Sequence, residues 1–535
     1  MKIRIQGKTE IDVHEGETLL SALGRAGIPV AAPCGGKHRC GKCKVRILEG
    51  RVRNALSVEE SLELERLSGD KEPGNTEKAP NEVLACASIP ETDIHIALVS
   101  ENAYDGGSYQ EITSPAGVQS VAQIDENANS TKVFRAGAAL DIGTTTLSAR
   151  LVDLDSGREL DTYSALNQQR VFGADVMSRI STAREGKTGE LFSIINRQTR
   201  EILTGFKEKF NLSSIETLAV AGNTTMLHLF VNEDPSSMGE IPFKPVFLDE
   251  REYSGASLSL PVDKVYLFPS ISAFIGGDVV SGLREIGILE AKETVFFIDI
   301  GTNGEMALFH QGRLFCASAA AGPALEGAEI SCGCGSIRGA INKVEWQDGK
   351  IRWATIGGND PVGICGCGLI DAMALMLEQE VIDETGAFSE DDREEFPIAP
   401  GISLINRDVR QYQLAKSAIL SAIKIVCKNA EIELEDVKKV YVAGGLGFYI
   451  DQKSAIRTGL LPGEFLDRIE VCGNTSLKGA IKSLLDPPSR SQSPMRPSPG
   501  GLREYCKEII RISEVMDLAS DPEFMEAFAE NMIFP

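Results

Sequence analysis

The alternation of apolar and polar residues predicts a small β-sheet domain at the start of the chain. Residues alternate over Lys2 to Gln6 and again over Glu10 to His14, which is the pattern of two strands that each bury one face. Apolar residues then recur at helical spacing, at Leu19, Leu20 and Leu23. Strand, turn, strand and helix in this order are typical of the opening of a β-grasp fold.

A different pattern, in which strands alternate with helices, begins near residue 137. The segments Ala138 to Leu154 and Phe296 to Phe309 each contain an apolar strand that ends in Asp-Ile-Gly-Thr and leads into a second strand. This internal repeat predicts two similar lobes that face each other. The polar stretch before it has no sustained periodicity, which is typical of a linker.

These patterns divide the chain into three parts. We expect a β-grasp domain over residues 1–100, a linker over 101–136 and a two-lobed α/β domain over 137–535, with lobes of about 137–290 and 291–535. A chain of 535 residues needs more than one hydrophobic core, which agrees with this division.

Composition and charge exclude several classes of partner. The net charge of -23, from 54 basic and 77 acidic residues, repels phosphate backbones, so we expect no nucleic-acid partner. No run approaches the roughly 18 apolar residues of a membrane-spanning helix, and the first residues lack the apolar core of a signal peptide. We therefore expect a cytoplasmic protein with no membrane partner, whose 12 cysteines are metal ligands, redox groups or core residues rather than disulfides.

Four cysteines of the first domain are spaced like the ligands of a plant-type 2Fe-2S cluster. Cys34, Cys40 and Cys43 form C-x5-C-x2-C, and Cys86 follows 43 positions later, close to the plant-type spacing. Thiolates are the soft ligands that iron in such clusters needs. A zinc loop is the alternative, although zinc sites more often have two C-x2-C pairs. His38, in the same loop, is interpreted as a solvated residue, because a Rieske centre needs two histidines.

The two Asp-Ile-Gly-Thr turns have the residues that bind nucleotide phosphates. Glycine lets the backbone approach phosphate oxygens, and threonine hydroxyls donate to them. Asp141 and Asp299, the expected catalytic residues, can hold hydrated magnesium or orient water. A glycine turn after a third apolar strand is suited to adenosine, and buried strands with ordinary turns are the alternative interpretation. The expected nucleotide ligands are Gly143, Thr144, Thr145, Gly301, Thr302, Asn303, Gly444 and Gly445.

Three polar residues near these turns have two interpretations each. Asn223 and Asn474 stand where they could contact a nucleotide or cap a helix. Asp278 follows a pair of glycines and could line the cleft or belong to a hinge between the lobes.

Two further cysteine pairs are a candidate for a second metal site. Cys332 and Cys334 flank one glycine, and Cys365 and Cys367 flank another. Four thiolates would suit zinc or an iron-sulfur cluster if the pairs converge. Cysteines in glycine-rich segments are also common as small core residues, so both interpretations stay open.

The order of these motifs resembles one known family. The ferredoxin-type loop is followed by DIGTTT, GNTTM, FIDIGTNGE, AAGPALEGAEISCG, GICGCGLIDA and VAGG, as in the reductive activators of corrinoid proteins. The resemblance covers nearly the whole chain. The two-lobed domain by itself resembles the acetate and sugar kinase, Hsp70 and actin superfamily of ATP-binding folds.

The resemblance implies an ATP-hydrolysing iron-sulfur oxidoreductase that reduces Co(II) to Co(I) on a corrinoid protein of a methyltransferase system. It implies a 2Fe-2S cluster, ATP and Mg²⁺ as cofactors, and an upstream electron donor as a second partner. Glu326, in AAGPALEG, is expected to contact the partner or the nucleotide. A homodimer is a further expectation. Some members carry an additional domain between the linker and the DIGTTT segment, but DIGTTT begins too early in this chain for that domain, so dimer contacts inferred from those members do not carry over.

Two other functions stay open from the sequence. One is a redox-regulated kinase of a small molecule, which would need a substrate-binding base that the sequence does not reveal. The other is an ATP-driven electron donor to another metalloenzyme, such as a dehydratase, whose activators usually bind a 4Fe-4S cluster between subunits.

The cysteine spacing generates the first testable prediction. Cys40→Ser should abolish or strongly change the visible and EPR signals of a 2Fe-2S cluster, because it removes one of four thiolate ligands. ATP binding, measured by calorimetry, should be unchanged in the same variant. Cys472→Ser, outside the motif, is the control and should keep both properties. An unchanged spectrum of the Cys40→Ser protein would refute the ligand assignment.

Overall fold

The computed structural model describes residues 1–6, 10–26, 28, 30, 43–55, 82–98, 134–173, 175–390, 392–486 and 501–535. Most of the expected linker lies outside these residues, as do Cys34, His38 and Cys40.

The first domain is a mixed β-sheet packed against one helix, α1 (Leu19–Arg25). Its strands are β1 (Lys2–Ile5), β2 (Glu10–Asp12), β3 (Lys44–Glu49), β4 (Val52–Asn54), β5 (Glu82–Leu84), β6 (Ser88–Pro90) and β7 (Ile94–Leu98). The five-stranded sheet has the order β2-β1-β7-β3-β5, with β1 parallel to β7. Thr18 caps the start of α1, because its hydroxyl accepts from the backbone N–H of Ser21 at 3.3 Å. The β-grasp prediction is confirmed.

The first lobe is a six-stranded sheet with helices on its faces. Its strands are β8 (Ala136–Ile142), β9 (Thr146–Asp153), β10 (Glu159–Leu166), β11 (Thr217–Gly222), β12 (Arg251–Ser254) and β13 (Lys264–Leu267). Its helices are α2 (Val176–Thr182), α3 (Thr188–Lys209), α4 (Thr224–Phe230) and α5 (Gly277–Glu285). The sheet order is β10-β9-β8-β11-β13-β12. Strand β8 is central and buried over nearly its whole length, which explains its continuous apolar sequence.

The second lobe contains a second six-stranded sheet and two small sheets. Its strands are β14 (Val295–Ile300), β15 (Gly304–His310), β16 (Arg313–Ala319), β17 (Ala340–Gln347), β18 (Lys350–Thr355), β19 (Gly363–Ile364), β20 (Glu395–Ala399), β21 (Ile402–Ile405), β22 (Lys439–Ala443), β23 (Ile469–Gly473) and β24 (Ser513–Val515). Its helices are α6 (Gly366–Glu378), α7 (Asn406–Asn429), α8 (Gln452–Arg457), α9 (Thr475–Leu485), α10 (Leu502–Ile512) and α11 (Pro522–Glu530). The large sheet has the order β23-β22-β14-β15-β16-β24.

Five strands of each large sheet share one topology, which confirms the repeat predicted from the sequence. The sixth strands differ, because β12 lies antiparallel beside β13 whereas β24 lies parallel beside β16. In each, three antiparallel strands come first, β8-β9-β10 and β14-β15-β16. Later strands then add in parallel, β11 beside β8 and β22 beside β14. The equivalent aspartates Asp141 and Asp299 therefore lie near the ends of equivalent strands.

Helix α7 is longer than the pattern predicted. Apolar residues recur at helical spacing in the segment Leu414 to Asn429 and predict a helix there, whereas the helix begins at Asn406. Its first turn is fixed by Asp408, which is buried and accepts from the backbone N–H of Ile405 at 3.0 Å. The carboxylate thus caps the helix from inside the first turn, where the apolar periodicity gives no signal. Over the described parts of the chain, none of the helices has both the length and the apolar character needed to cross a membrane.

A shared hydrophobic core joins the two lobes. Helices α5 and α9 lie side by side between the sheets, and their Val280 and Leu477 pack into one cluster with Ala139 of β8 and Phe297 of β14. The helices approach so closely that a Cβ at Gly479 would overlap the backbone carbonyl of Ser281. This close contact places the carboxyl ends of both sheets at one cleft.

The contact between α5 and α9 generates the second prediction. Gly479→Ala should lower the free energy of unfolding by about 1–3 kcal/mol, because the helices must separate to admit a methyl group. Gly205→Ala is the matched control, since residue 205 is an exposed helical position with nothing within 4 Å of an added Cβ. It should raise stability by about 0.5–1 kcal/mol. Thermal unfolding of both variants measures these effects, and a Gly479→Ala protein as stable as the wild type would contradict the packing.

Candidate functional site

The two phosphate-binding turns predicted from the sequence meet across the cleft between the lobes. In the first turn the N–H of Gly143 donates to the carbonyl of Thr146 at 2.9 Å. In the second the N–H of Gly301 donates to the carbonyl of Asn303, also at 2.9 Å. A hydroxyl from each turn points to the space between them, so the structure brings the two turns together as the sequence predicted.

Those two hydroxyls share one acceptor. Thr145 donates to Oε2 of Glu326 at 2.8 Å, and Thr302 donates to the same oxygen at 2.6 Å. Glu326 ends a short 3₁₀ turn, Pro323–Glu326, of the second lobe. A single carboxylate therefore connects the two turns and, through them, the two lobes.

Five carboxylates line the cleft around this contact. They belong to Asp141, Asp278, Asp299, Glu305 and Glu326. Burial, together with the neighbouring Asp278, Asp141 and Glu326, raises the pKa of Asp299 to about 8. Burial and then the charge of Asp141 raise the pKa of Asp278 to about 7, and burial raises the pKa of Glu305 well above its ordinary value. These side chains keep part of their surface in the solvent of the cleft, which moderates the repulsion.

Asp141 is held by residues from the other lobe. Asn474 donates to Oδ2 of Asp141 at 2.8 Å, and Ser476 donates to Oδ1 at 2.7 Å. The side-chain oxygen of Asn474 also accepts from the N–H of Leu477 and so caps α9. The helix-capping interpretation of Asn474 is confirmed, because its side-chain oxygen caps α9. Its amide nitrogen positions the carboxylate of Asp141, and a contact between Asn474 and nucleotide stays a prediction.

Asn223 has the same double function in the first lobe. Its oxygen accepts from the N–H of Met226 at 3.0 Å and caps α4, while its amide donates to the hydroxyl of Thr144 at 3.0 Å. Behind this turn the fully buried Arg179 donates to the carbonyl of Thr144 and, at 3.1 Å, to that of Gly173. Burial lowers the pKa of Arg179 to about 9, so the guanidinium is still charged at neutral pH.

The third glycine turn approaches the same carboxylates. Gly444 has a φ of 88°, and a Cβ there would overlap Oδ1 of Asp299, so only glycine is suited to this position. At Gly445 an added Cβ would meet nothing within 4 Å. Gly444 therefore lies against the predicted magnesium and phosphate region, and the contact of Gly445 with adenosine stays a prediction.

Two of the four expected cluster ligands are described, and they lie side by side. The sulfur atoms of Cys43 and Cys86 are 3.2 Å apart and buried. The N–H of Ala85 donates to the carbonyl of Cys43 at 2.7 Å, which fixes the two segments together. Both thiols have the chemistry and the closeness that a 2Fe-2S cluster requires, whereas Cys34 and Cys40 lie outside the described residues.

The second group of cysteines is also brought together by the fold. Ile364 donates to the carbonyl of Cys332 and accepts from the N–H of Cys334, both at 2.9 Å. A hydrogen bond from the Cys367 thiol lowers the pKa of Cys365 to about 7, whereas burial raises the pKa of Cys334 to about 12. Within the described ranges, no group of three or more His, Cys, Asp or Glu side chains is arranged to hold a metal ion. The second metal site stays a prediction that this structure does not support.

Comparison with known proteins agrees with this architecture. Residues 3–91 match the family described as a 2Fe-2S iron-sulfur cluster binding domain. Residues 136–291 match the "RACo middle region", and residues 293–535 match the "C-terminal domain of RACo the ASKHA domain". A solved structure of the "Reductive activator for corrinoid,iron-sulfur protein" is 28% identical, covers 100% of this chain and 98% of its own, and superposes with a TM-score of 0.68.

The chain belongs to the family of the reductive activators of corrinoid proteins. Among the members, the "Corrinoid activation enzyme RamQ" of Eubacterium limosum is 29% identical, over 98% of this chain and 97% of its own. The "[Co(II) methylated amine-specific corrinoid protein] reductase" of Methanosarcina barkeri is 30% identical over 65% of this chain and 70% of its own. The predicted family and fold are thus confirmed, and the matched families support a 2Fe-2S cluster and ATP as cofactors.

Sequence reasoning missed two residues of this activator's cleft. Glu305 lies directly opposite Asp299 in the β14-β15 pair, and a charge in an otherwise apolar strand was the available signal. Arg179 interrupts the apolar face that Val176 and Ile180 give to α2. A lone arginine at such a position is the corresponding signal for a buried cation.

The raised pKa of Asp299 generates a prediction about pH. Between pH 4 and pH 8 the folded state binds a proton at Asp299 that the unfolded state lacks, so the stability of the protein falls as pH rises through this range. Asp299→Asn removes that dependence. We expect the thermal unfolding midpoint of this variant to fall less between pH 6 and pH 8 than that of the wild type.

The matched control for this experiment is Asp249→Asn, because the Asp249 side chain is 70% exposed. Its midpoint should follow the wild type at each pH. Equal pH dependence in all three proteins would contradict the raised pKa of Asp299. Added Mg²⁺ should reduce the difference at pH 8, because a cation favours the ionised carboxylates.

Proposed function

We propose that this activator uses ATP to drive the one-electron reduction of cobalt from Co(II) to Co(I) on a corrinoid protein of a methyl-transfer system. The single observation that carries the proposal is the combination of a thiol-lined β-grasp domain and an inter-lobe cleft with two facing phosphate turns in one chain. The relatives of this chain include a corrinoid activation enzyme, aligned over 98% of this chain, and a reductase of a Co(II) corrinoid protein, aligned over 65% of it.

The iron-sulfur domain supplies the reducing group. Cys43 and Cys86, with Cys34 and Cys40, would hold a 2Fe-2S cluster, which when bound supplies one electron at a time. Plant-type clusters have potentials near -400 mV. If cobalt reduction needs a few hundred millivolts more, the deficit is on the order of 5 kcal/mol, since about 59 mV is a tenfold change for one electron. A transfer across such a deficit would need an input of free energy of that size.

The cleft is the place where ATP would provide that input. The hydroxyls of Thr145 and Thr302 and the glycine N–H groups of both turns would bind phosphate oxygens. Asp141 and Asp299 would hold hydrated Mg²⁺, which usually keeps several waters in nucleotide sites.

Nucleotide binding can act on the partner only through differential affinity. Suppose that the lobes have two arrangements and that ATP favours one of them. ATP then changes the affinity for the corrinoid protein only if that protein binds the two arrangements with different affinities. The residues that connect the lobes, among them Asn474 and Glu326, are therefore as important to the function as the residues that hold the nucleotide.

Several parts of the proposal rest on the sequence alone. They are the domain boundaries, the cytoplasmic location, the upstream electron donor and the homodimer. Mg²⁺ and the roles of the individual site residues belong to the proposal as well. The kinase and dehydratase-activator alternatives have no specific support in the geometry described above.

Two variants separate the functions of the domains. Asp299→Ala should lower ATP hydrolysis and formation of the Co(I) absorption band about 100-fold, while the iron-sulfur signal stays reducible. Cys43→Ser should abolish Co(I) formation but keep much of the ATP hydrolysis. The assay mixes a reductant, ATP, Mg²⁺ and a Co(II) corrinoid protein, and Asp249→Ala is the control that should behave as the wild type.

Co(I) formation that proceeds equally well without ATP, at every reductant potential tried, would refute the activator proposal. Phosphorylation of a small metabolite in place of cobalt reduction would support the kinase alternative.

A further inference from the structure

Glu326 accepts hydrogen bonds from the two threonine hydroxyls that would otherwise be available to a nucleotide phosphate. Its Oε2 accepts from both Thr145 and Thr302, and its Oε1 would lie 3.5 Å from a Cβ at Gly301. A carboxylate and a phosphate are both anionic acceptors, so one hydroxyl proton serves only one of them at a time. Phosphate binding at these two turns therefore requires that Glu326 move away.

We propose that Glu326 is the residue that senses nucleotide phosphate, and that its displacement is passed through helix α6 to the β17-β18 hairpin. This inference rests on the proposed ATP site. Glu326 is a positioning residue here. Phosphate replaces it as the acceptor of the two hydroxyls, and the displaced side chain moves the 3₁₀ turn to which it belongs.

The turn that carries Glu326 is packed directly on α6. A Cβ at Gly366, the first residue of α6, would overlap the carbonyl of Leu325. On the other side of the same helical turn, a Cβ at Gly368 would overlap the carbonyl of Ile341 in β17. Cys365 adds a backbone hydrogen bond to that carbonyl at 3.0 Å. The first turn of α6 thus lies between the Glu326 turn and the hairpin with no spare space on either side.

Such packing transmits a displacement rather than absorbing it, because protein interiors are close-packed. The chain beyond the turn cannot easily yield instead. Ser331 is tied to the buried Asp408 of α7 by its N–H at 2.7 Å and its hydroxyl at 2.5 Å. Movement of Glu326 is therefore directed onto α6.

The hairpin carries its own optical reporters. The chain has two tryptophans, and both lie on this hairpin, Trp346 in β17 and Trp353 in β18, with exposures of 46% and 38%. Trp353 pairs with Val344, and Trp346 pairs with Ile351, which places these side chains on one face. Val344 is buried in the same core as α6, so a shift of the helix changes the surroundings of both indoles.

The experiment adds a non-hydrolysable ATP analogue with Mg²⁺ to the full-length protein. Affinity is measured by calorimetry and the hairpin by tryptophan emission. The wild type should bind and change its emission. Glu326→Gln should bind about threefold or more tightly, because a charge that competes with phosphate is gone. It should also lose most of the emission change, because the uncharged amide can release the two hydroxyls and turn its N–H groups toward the phosphate, so that the 3₁₀ turn which carries it need not move.

The matched control is Glu329→Gln, which changes an exposed glutamate of the same segment and should behave as the wild type. A merely structural role of Glu326 would instead lower the melting temperature and the affinity together, which would contradict the inference. Binding to the wild type without an emission change, or a full emission change in Glu326→Gln, would overturn the inference alone. Absence of any nucleotide binding to the wild type would overturn the proposed function as well.

Discussion

The burial of five carboxyl groups close together in one cleft is the constraint on which the rest of this structure depends, because burial, and after it the repulsion between neighbouring carboxylates, opposes their ionisation. Asp141 and Asp299 come from opposite lobes, and each makes the ionisation of its neighbours more costly. The fold resists this repulsion with contacts that cross the cleft, from Asn474 and Ser476 to Asp141. Behind them, the shared core of α5 and α9 contributes the apolar burial that holds the lobes together. Such a cleft is stable while its carboxyl groups are protonated, and as pH rises and they ionise it binds a cation more favourably.

The sequence predicted those features that local chemistry specifies. A strand that ends in Asp-Ile-Gly-Thr needs little context, since the apolar run gives the strand and the glycine gives the turn. Its occurrence twice predicted both lobes and the meeting of the turns. The paired thiols of Cys43 and Cys86 followed in the same way from their spacing, and the structure brings these two together. In each case the information lies within a few residues or in a simple repeat.

The features that the sequence did not reveal depend on which segments the fold brings side by side. Glu305 enters the cleft only because β15 returns antiparallel to β14, and Arg179 reaches the first turn from a helix more than 30 residues away. The four cysteines of the second group are adjacent through backbone bonds at Ile364, yet a common spacing motif does not tell whether their sulfur atoms converge. Side-chain direction across a packed interface is set by tertiary contacts, which periodicity does not encode.

Coupling between ATP and cobalt must be reciprocal if both act through the positions of the same elements. A nucleotide that changes the affinity for the corrinoid protein by some factor obliges that protein to change the affinity for the nucleotide by the same factor. A contact such as Glu326 with Thr145 and Thr302 suits this requirement, because it is an exchange between two acceptors rather than a fixed bond. The coupling therefore works in both directions. Phosphate binding can move the turn that carries Glu326, and a partner that moves this turn frees the hydroxyls for phosphate. The same hydroxyls thus belong to the nucleotide site and to the link between the lobes.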